Sequence, residues 1–410
     1  MSQFDIVLWG ATGFTGRLVA NYLADHPDID DVDWAIAGRN HDKLRDVRAE
    51  LGSPFEELPI LIGDSFDRPS LDAICEKTDV ICSTVGPYAR FGTDLVAACV
   101  ANGTDYCDLT GETHWVRQMI DEYHDEAIRN DVRIVHCCGF DSIPSDLGTL
   151  VVQSEAIDRF GTPCDEVRTL VWRVRGGVSG GTAASMAELM EDAAEDSDIR
   201  RTMADPYCLN PEGRRSGPDG SMQQSPRYDK RREVWTAPFV MAAINEKVVR
   251  RSNALLDNRY GDRFRYSEAV QVGDGFSGAT RAAAMSAGLG IFAGAMAIAP
   301  TRKLLEKFVL PDAGEGPDEE ARQSGHFELR VFGRGTDDSG QDFDIACRVS
   351  ADLDPGYGAT SLMLGNAALS LAIDDVDDGL DGGILTPATA LGMSLVERLD
   401  DAGMSFEVIH

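Results

Sequence analysis

The stretch Gly10-Ala11-Thr12-Gly13-Phe14-Thr15-Gly16 stands between an apolar run, residues 4–9, and an amphipathic stretch, residues 14–23. A strand that turns sharply into a helix leaves the first backbone N–H groups unpaired and aims the helix's positive end at the turn, so a pyrophosphate can dock there. Glycine is needed because a side chain would hold the backbone away from the phosphates. The strand before, the helix after and the position at the front of the chain raise this reading well above that of a bare turn.

The next strand sharpens the ligand. Residues 34–37 read as the second parallel strand and end in Gly38-Arg39-Asn40, where an NAD-binding chain would place a carboxylate on the ribose 2′-hydroxyl. None stands there. Arg39 offers a planar fork suited to a 2′-phosphate, Asn40 adjoins it, and Lys43 lies one helical turn further on. NADP(H) is therefore expected over NAD(H), the alternative being that Arg39 and Lys43 are solvated charges at a helix start. Asp64, after the third strand, can meet the adenine amine or serve as a turn aspartate. Val85-Gly86-Pro87 opens from the fourth strand beside the expected nicotinamide ribose.

Length and composition bound the rest. A chain of 410 residues exceeds one comfortable core, so two domains are expected. Its formal charge is −31, and only six of its 38 basic residues are lysine. Salt screens the self-repulsion of such a surface, so the excess carboxylate reads as adaptation to a saline cytoplasm. It argues against nucleic acid as a partner, whose phosphates would be repelled. The nine cysteines fall mostly in apolar runs without a C-x-x-C pair, which points to reduced, buried thiols, and the seven histidines show no metal-ligand spacing. The chain enters its first strand without a signal sequence, so a cytoplasmic protein is expected. Residues 282–300 are apolar but rich in small side chains, which favours a buried or lipid-facing helix over a spanning one and allows peripheral membrane contact.

From residue 4 to about 136, apolar runs alternate with helical patterns in the rhythm of a doubly wound parallel sheet. Strands are expected near 4–9, 32–37, 58–62, 79–84, 104–107 and 132–137. The pattern predicts an α/β Rossmann domain over 1–145, a second α+β substrate domain over 146–385, and a C-terminal helix and strand over 386–410 packing back on the Rossmann domain. Residues 201–230, rich in proline and glycine, read as a lid or mobile loop. Residues 327–332 and 343–349 flank a Gly/Asp turn and read as a hairpin.

Several segments go beyond a generic dinucleotide fold. They are Val85-Gly86-Pro87-Tyr88, Asp105-Tyr106-Cys107-Asp108-Leu109-Thr110-Gly111-Glu112, Gly139-Phe140-Asp141-Ser142-Ile143-Pro144-Ser145-Asp146, Ser179-Gly180-Gly181-Thr182, Gly314-Glu315-Gly316-Pro317 and Asp354-Pro355-Gly356-Tyr357. Together with the opening turn and Gly38-Arg39, the chain resembles the saccharopine dehydrogenase-like oxidoreductases along nearly its whole length, and most of all their trans-acting enoyl reductase branch. The resemblance implies an NADP-binding Rossmann domain, a second α/β domain and a substrate cleft between them. It further implies NADPH-dependent saturation of a C=C bond on an acyl or lipid-like small molecule. Reduction of an amino-acid imine is the alternative within the family; a binding protein without turnover, a redox sensor or membrane-surface scaffold, is the alternative outside it. A homo-oligomer through the second domain is compatible with either.

The cofactor carries the hydride, so the protein must supply a proton. Tyr88 is the first candidate donor, with packing over the nicotinamide or ribose as its other role. Glu112 and His114 stand where the fifth strand meets its helix; Glu112 can equally complement the helix dipole, and His114 can donate or accept near neutrality. Asp141, where the chain leaves the sixth strand, can position substrate or carboxamide.

Overall fold

Alternate residues of the first strand face two different cores. Ile6 and Leu8 look one way, Val7 and Trp9 the other, and all four are buried. A strand covered on both faces must be apolar throughout, and parallel strands meet that condition because their crossover helices lie on both sides. The computed structural model describes residues 2–176, 180–308, 324–376 and 379–409. Ser179 and residues 314–317 of the family motifs lie outside them.

Six strands follow the expected rhythm: β1 (Phe4–Trp9), β2 (Trp34–Gly38), β3 (Ile60–Ile62), β4 (Thr78–Ser83), β5 (Asp105–Asp108) and β6 (Arg133–Val135). Then come β7 (Glu166–Arg175), β8 (Arg227–Asp229), β9 (Val234–Ala237), β10 (Arg265–Gly273), β11 (His326–Thr336), β12 (Asp342–Ala351), β13 (Gly383–Leu385) and β14 (Ser405–Ile409). The first sheet is parallel throughout, in the order β13-β6-β5-β4-β1-β2-β3. Strand order reverses between β1 and β4, and ligands of such sheets bind outside the carboxyl ends at that point. The second sheet is mixed, in the order β14-β12-β11-β7-β10-β9-β8, with β7 and β10 parallel and every other pair antiparallel.

The chain weaves the two sheets together. β13 returns late in the sequence to pair with β6, while the terminal strand β14 pairs with β12 of the second sheet and does not pack back on the Rossmann sheet. Helix Thr360–Ile373 also belongs to the late part of the chain, yet it is buried against helix Phe14–Ala24 and strands β4 and β5. Asn366 donates to the Tyr22 hydroxyl there, at 2.6 Å. One apolar cluster accordingly runs from Ile6 and Leu8 through Leu364 and Leu369 to Val331 and Val349.

Helix Ile143–Phe160 leaves β6 and lies across the second sheet. Gly148 lets it approach: a β-carbon there would lie 2.9 Å from Val331 and 3.0 Å from Val349.

Residues 201–230 are pinned, contrary to the expectation of a mobile loop. Arg117 donates to the Cys208 carbonyl at 2.9 Å, and Arg251 donates to that of Leu209. Arg250 binds the Pro206 carbonyl at 3.1 Å and the Asp219 carboxylate at 2.7 Å. Polar composition concealed these anchors, because the arginines that hold the segment belong to distant helices.

No single helix among the described residues is long and apolar enough to cross a membrane. Residues 282–297 fall in helix Gly275–Ala297, most of which is exposed, and residues 299–300 open the next helix, Ala299–Phe308.

Gly148→Leu should lower unfolding free energy by about 1–3 kcal/mol, because a filled helix–sheet contact repacks only with strain. Chemical denaturation at constant salt measures it; an unchanged midpoint would remove the close approach as a requirement.

Candidate active site

The glycines of the opening turn have separate duties. Gly10 has φ +91°, a left-handed value that favours glycine, and a β-carbon on it would strike Val85 and Thr84. At Gly16 a β-carbon would lie 2.2 Å from the Gly10 carbonyl, so this residue sets how closely the helix meets the strand. Gly13 is exposed and caps helix Phe14–Ala24 with no side chain over its first N–H groups. Thr12, Phe14 and Thr15 stand half-buried around it, and Ala11 is buried. An uncapped N-terminus with a bare backbone before it fits a pyrophosphate.

At the end of β2, Arg39 and Lys43 are exposed and make no ion pair among the described residues. In a chain with 69 carboxylates this leaves two cations available to a phosphate. Asn40 acts on the backbone instead, where its side-chain oxygen accepts from the Lys43 N–H at 3.0 Å and caps the next helix. Asp64 is half-buried and accepts from the Phe66 N–H at 2.9 Å in a local turn.

Buried carboxylates organise the loops beyond β4, β5 and β6. Asp108 is fully buried and takes four donors: the Thr110 and Cys137 N–H groups at 3.0 and 3.2 Å, the Tyr106 hydroxyl at 3.0 Å and His136 Nδ1 at 2.8 Å. Cys137 has φ +67°, an uncommon conformation for a side-chain-bearing residue, and its N–H bond to Asp108 helps fix it. Glu112 accepts from the Tyr88 N–H at 2.9 Å, the Ala89 N–H at 2.8 Å and the Ser185 hydroxyl at 2.8 Å. Burial pushes its carboxyl up, while those bonds oppose the shift.

Two of the expected proton donors are thereby corrected. Tyr88 is 3 % exposed, stacks on Trp115 and donates its hydroxyl to the Ser83 carbonyl at 3.1 Å, so its phenol is spent in the core. Burial drives that phenol well above its ordinary range. Glu112 anchors the turn after Val85-Gly86-Pro87 with both oxygens and is a positioning group. His114 is nearly buried, its Nε2 lies 3.6 Å from Asp192, and burial lowers it, so the imidazole is neutral at pH 7.

Asp141 stands apart. It is half-buried, makes no hydrogen bond or ion pair among the described residues, and lies across from Gly111, where a β-carbon would be 3.9 Å from its Oδ2 and from the Met241 methyl. Desolvation alone raises it to about 6. The second domain reaches the same edge through Ser185, whose hydroxyl would lie 3.7 Å from a β-carbon on Gly86, and through Tyr357, whose ring meets Phe14 at 4.6 Å. Val85 and Pro87 are half-buried and Gly86 exposed between them. Arg173 and Arg175, the cations an amino-acid imine would require, are exposed on β7.

The family assignment follows from whole-chain likeness. Residues 6–135 match the saccharopine dehydrogenase NADP binding domain. A relative from Mycobacterium tuberculosis that carries the name trans-acting enoyl reductase, Rv2449c, is 42% identical over 99% of this chain and 97% of its own. The chain belongs to the saccharopine dehydrogenase-like oxidoreductase family, in its trans-acting enoyl reductase branch. A trans-acting enoyl reductase of Mycobacterium bovis is 38% identical over 98% of this chain and 97% of its own. A saccharopine dehydrogenase (L-Glu forming) from Saccharomyces cerevisiae shares the fold, with TM-score 0.54 over 99% of both chains at 13% identity. Like its family, this protein is an NADP(H)-dependent oxidoreductase.

Behind Asp141 the saccharopine dehydrogenase-like scaffold carries a polar chain that sequence reading missed. Ser142 donates to Asn245 at 3.0 Å, Asn245 donates to Glu268 at 3.0 Å, and Tyr266 donates to Glu268 at 2.6 Å. Glu268 is fully buried on β10, and burial raises it to about 7. Helix Ala242–Leu255 reads as a solvated polar stretch, yet Asn245, Glu246, Arg250, Arg251 and Ser252 on it are all buried. Among the described residues no group of His, Cys, Asp or Glu side chains could hold a metal ion.

Arg39→Asp should reverse the preference between NADPH and NADH by at least about tenfold, the loss of a bidentate phosphate pair. Binding titrations with both cofactors measure it, and an unchanged ratio would remove Arg39 from the 2′-phosphate site.

Glu268 releases its proton at higher pH when folded than when unfolded, so its stabilising share is full below about 4.5 and is lost as pH rises towards about 7. The stability of the wild type relative to Glu268→Gln should fall over that window. Parallel curves from denaturant titrations would refute a raised Glu268.

Proposed function

We propose that this protein is an NADPH-dependent enoyl reductase that saturates a C=C bond in an apolar, lipid-like acyl substrate, with Asp141 as the proton donor. The observation that carries the reading is a carboxyl group with no partner among the described residues at the ligand-facing edge of a dinucleotide-binding sheet. Names of relatives at 42% and 38% identity supply the reaction class.

Bound NADPH would supply the hydride that adds to the β-carbon of the unsaturated acyl group. Thr12, Phe14 and Thr15 would hold its pyrophosphate by backbone N–H groups, and Arg39 with Lys43 would take the 2′-phosphate. Val85, Gly86 and Pro87 would border the nicotinamide ribose. Asp141 holds a proton on its carboxyl and delivers it to the α-carbon as the enolate collapses. Met241 gives that edge an apolar wall beside Asp141. Glu112, through Tyr88 and Ala89, fixes the loop against which the cofactor lies. His114, neutral and close to Asp192, packs the helix behind it.

A general acid works only while protonated. With Asp141 near 6, kcat/KM should be level below that pH and fall about tenfold per pH unit above it. Asp141→Asn should lower kcat by about 10²–10⁴ while leaving NADPH affinity within about twofold. A normal rate in that variant would remove Asp141 from the chemistry.

NADPH oxidation followed at high salt against enoyl thioesters, polyprenyl compounds and imino acids tests the substrate class. Turnover of the enoyl thioesters is expected. Turnover of imino acids alone would make the protein an imine reductase, and NADPH binding without turnover of any of them would make it a sensor.

A further inference from the structure

Helix Gly275–Ala297 is seated most deeply at its beginning. Gly278 lies so close to Gly273 that a β-carbon would be 2.4 Å from the Gly273 carbonyl oxygen, and Ala282 is buried. Beyond Ala282, Met296 alone is buried. The chain then bends by 112° at Ile298 into helix Ala299–Phe308. Phe276, Met285, Ile291, Ile298 and Leu304 are all exposed, Phe276 at 89 % and Ile291 at 74 %, so the large apolar side chains facing solvent concentrate on this elbow.

Exposure covers a broad arc of the helix along its length. Ala283, Ala284 and Met285 are exposed in succession, as are the pairs Ala287 with Gly288, Gly290 with Ile291, and Ala293 with Gly294. Successive residues of an α-helix point about 100° apart, so these fill the side opposite the stripe of buried or half-buried Ala282, Ser286, Leu289, Phe292 and Met296 on which the helix packs. A helix that packs on one stripe and is apolar on its exposed arc can lay that arc on a lipid surface.

Charge points to the same occupant. None of the chain's 69 carboxylates falls between Asp274 and Glu306. Arg281 and Lys303 are exposed there without an ion pair among the described residues, whereas Arg302 is buried and paired with Glu191. At high ionic strength charges act only at near-contact distances, so these two cations govern what the elbow meets and the distant acidic surface does not. The elbow packs on helix Gly180–Glu195, which also supplies Ser185 to the Glu112 carboxylate, so one helix joins the apolar surface to the loop that Glu112 anchors.

We propose that the elbow of Gly275–Ala297 and Ala299–Phe308 inserts into the headgroup–acyl boundary of an anionic bilayer and docks the enzyme with its cleft beside the lipid phase. Phe276, Ile291 and Ile298 enter the acyl layer, and Arg281 and Lys303 meet anionic headgroups. The docking does not depend on which bond the enzyme reduces.

Flotation of the full chain tests it, with vesicles of phosphatidylcholine alone and of equal parts phosphatidylcholine and phosphatidylglycerol, at low and high salt. The wild type should float with the mixed vesicles. The double variant Ile291→Asp, Ile298→Asp should lose at least about tenfold of that binding while still binding NADPH, which reports an intact fold. Arg281→Glu with Lys303→Glu should abolish the preference for phosphatidylglycerol. A wild type that stays at the bottom of both gradients overturns the proposal. So does a wild-type dimer by sedimentation that Ile291→Asp, Ile298→Asp converts to monomer, because the elbow is then an interface between copies of this chain.

Discussion

The loops at the carboxyl edge of the Rossmann sheet depend on buried carboxylates that accept backbone N–H groups. Asp108 gathers donors from the β5 and β6 ends, and Glu112 caps the turn after Pro87. Asp146 does the same deeper in, accepting from the Ser252 hydroxyl at 2.5 Å and the Ala388 N–H at 2.9 Å, which ties helix Ile143–Phe160 to the chain returning after β13. Burying a charge without a cation is costly, and several N–H and O–H donors on one carboxylate offset that cost. Residue types with two acceptor oxygens are needed because each carboxylate holds separate segments together. The loops are therefore set in place before any ligand arrives, a requirement for holding a cofactor and a proton donor in register.

Charge is used differently in the interior, on the surface and at the site. Interior arginines are struts: Arg250 joins Asp219, Glu246 and the Pro206 carbonyl, and Arg398 joins Asp374 to Asp28. The surface carries the carboxylate excess, which salt screens. Arg39 and Lys43 make no ion pair among the described residues at the cofactor edge, nor do Arg281 and Lys303 on the apolar elbow.

The first half of the fold was legible because β1 and β2 are buried along nearly their whole length and read as apolar runs. Observed strand ends depart from the expected ones by a residue or two, as at β2 and β3. The second half was not legible for two reasons. β7 and β10 pair in parallel across about ninety intervening residues, and nothing local announces that pairing. Helix Ala242–Leu255 buries a polar network, so its composition resembles a solvated surface. At the site, sequence position brought Tyr88, Glu112 and Asp141 to one sheet edge but could not say which way each side chain turns. Tyr88 turns to Trp115, Glu112 to two N–H groups, and Asp141 towards Gly111.

By itself the sequence determined the dinucleotide fold, the phosphate turn and the preference for NADP(H), because these follow from local spacing: glycines at a strand–helix junction and an arginine where a carboxylate would otherwise stand. Only the tertiary structure decided which carboxyl stands without a partner among the described residues, that residues 201–230 are pinned, and that an apolar helix has a broad exposed face. Each of those depends on what a side chain meets from a distant part of the chain, and burial and partnership are properties of the folded whole.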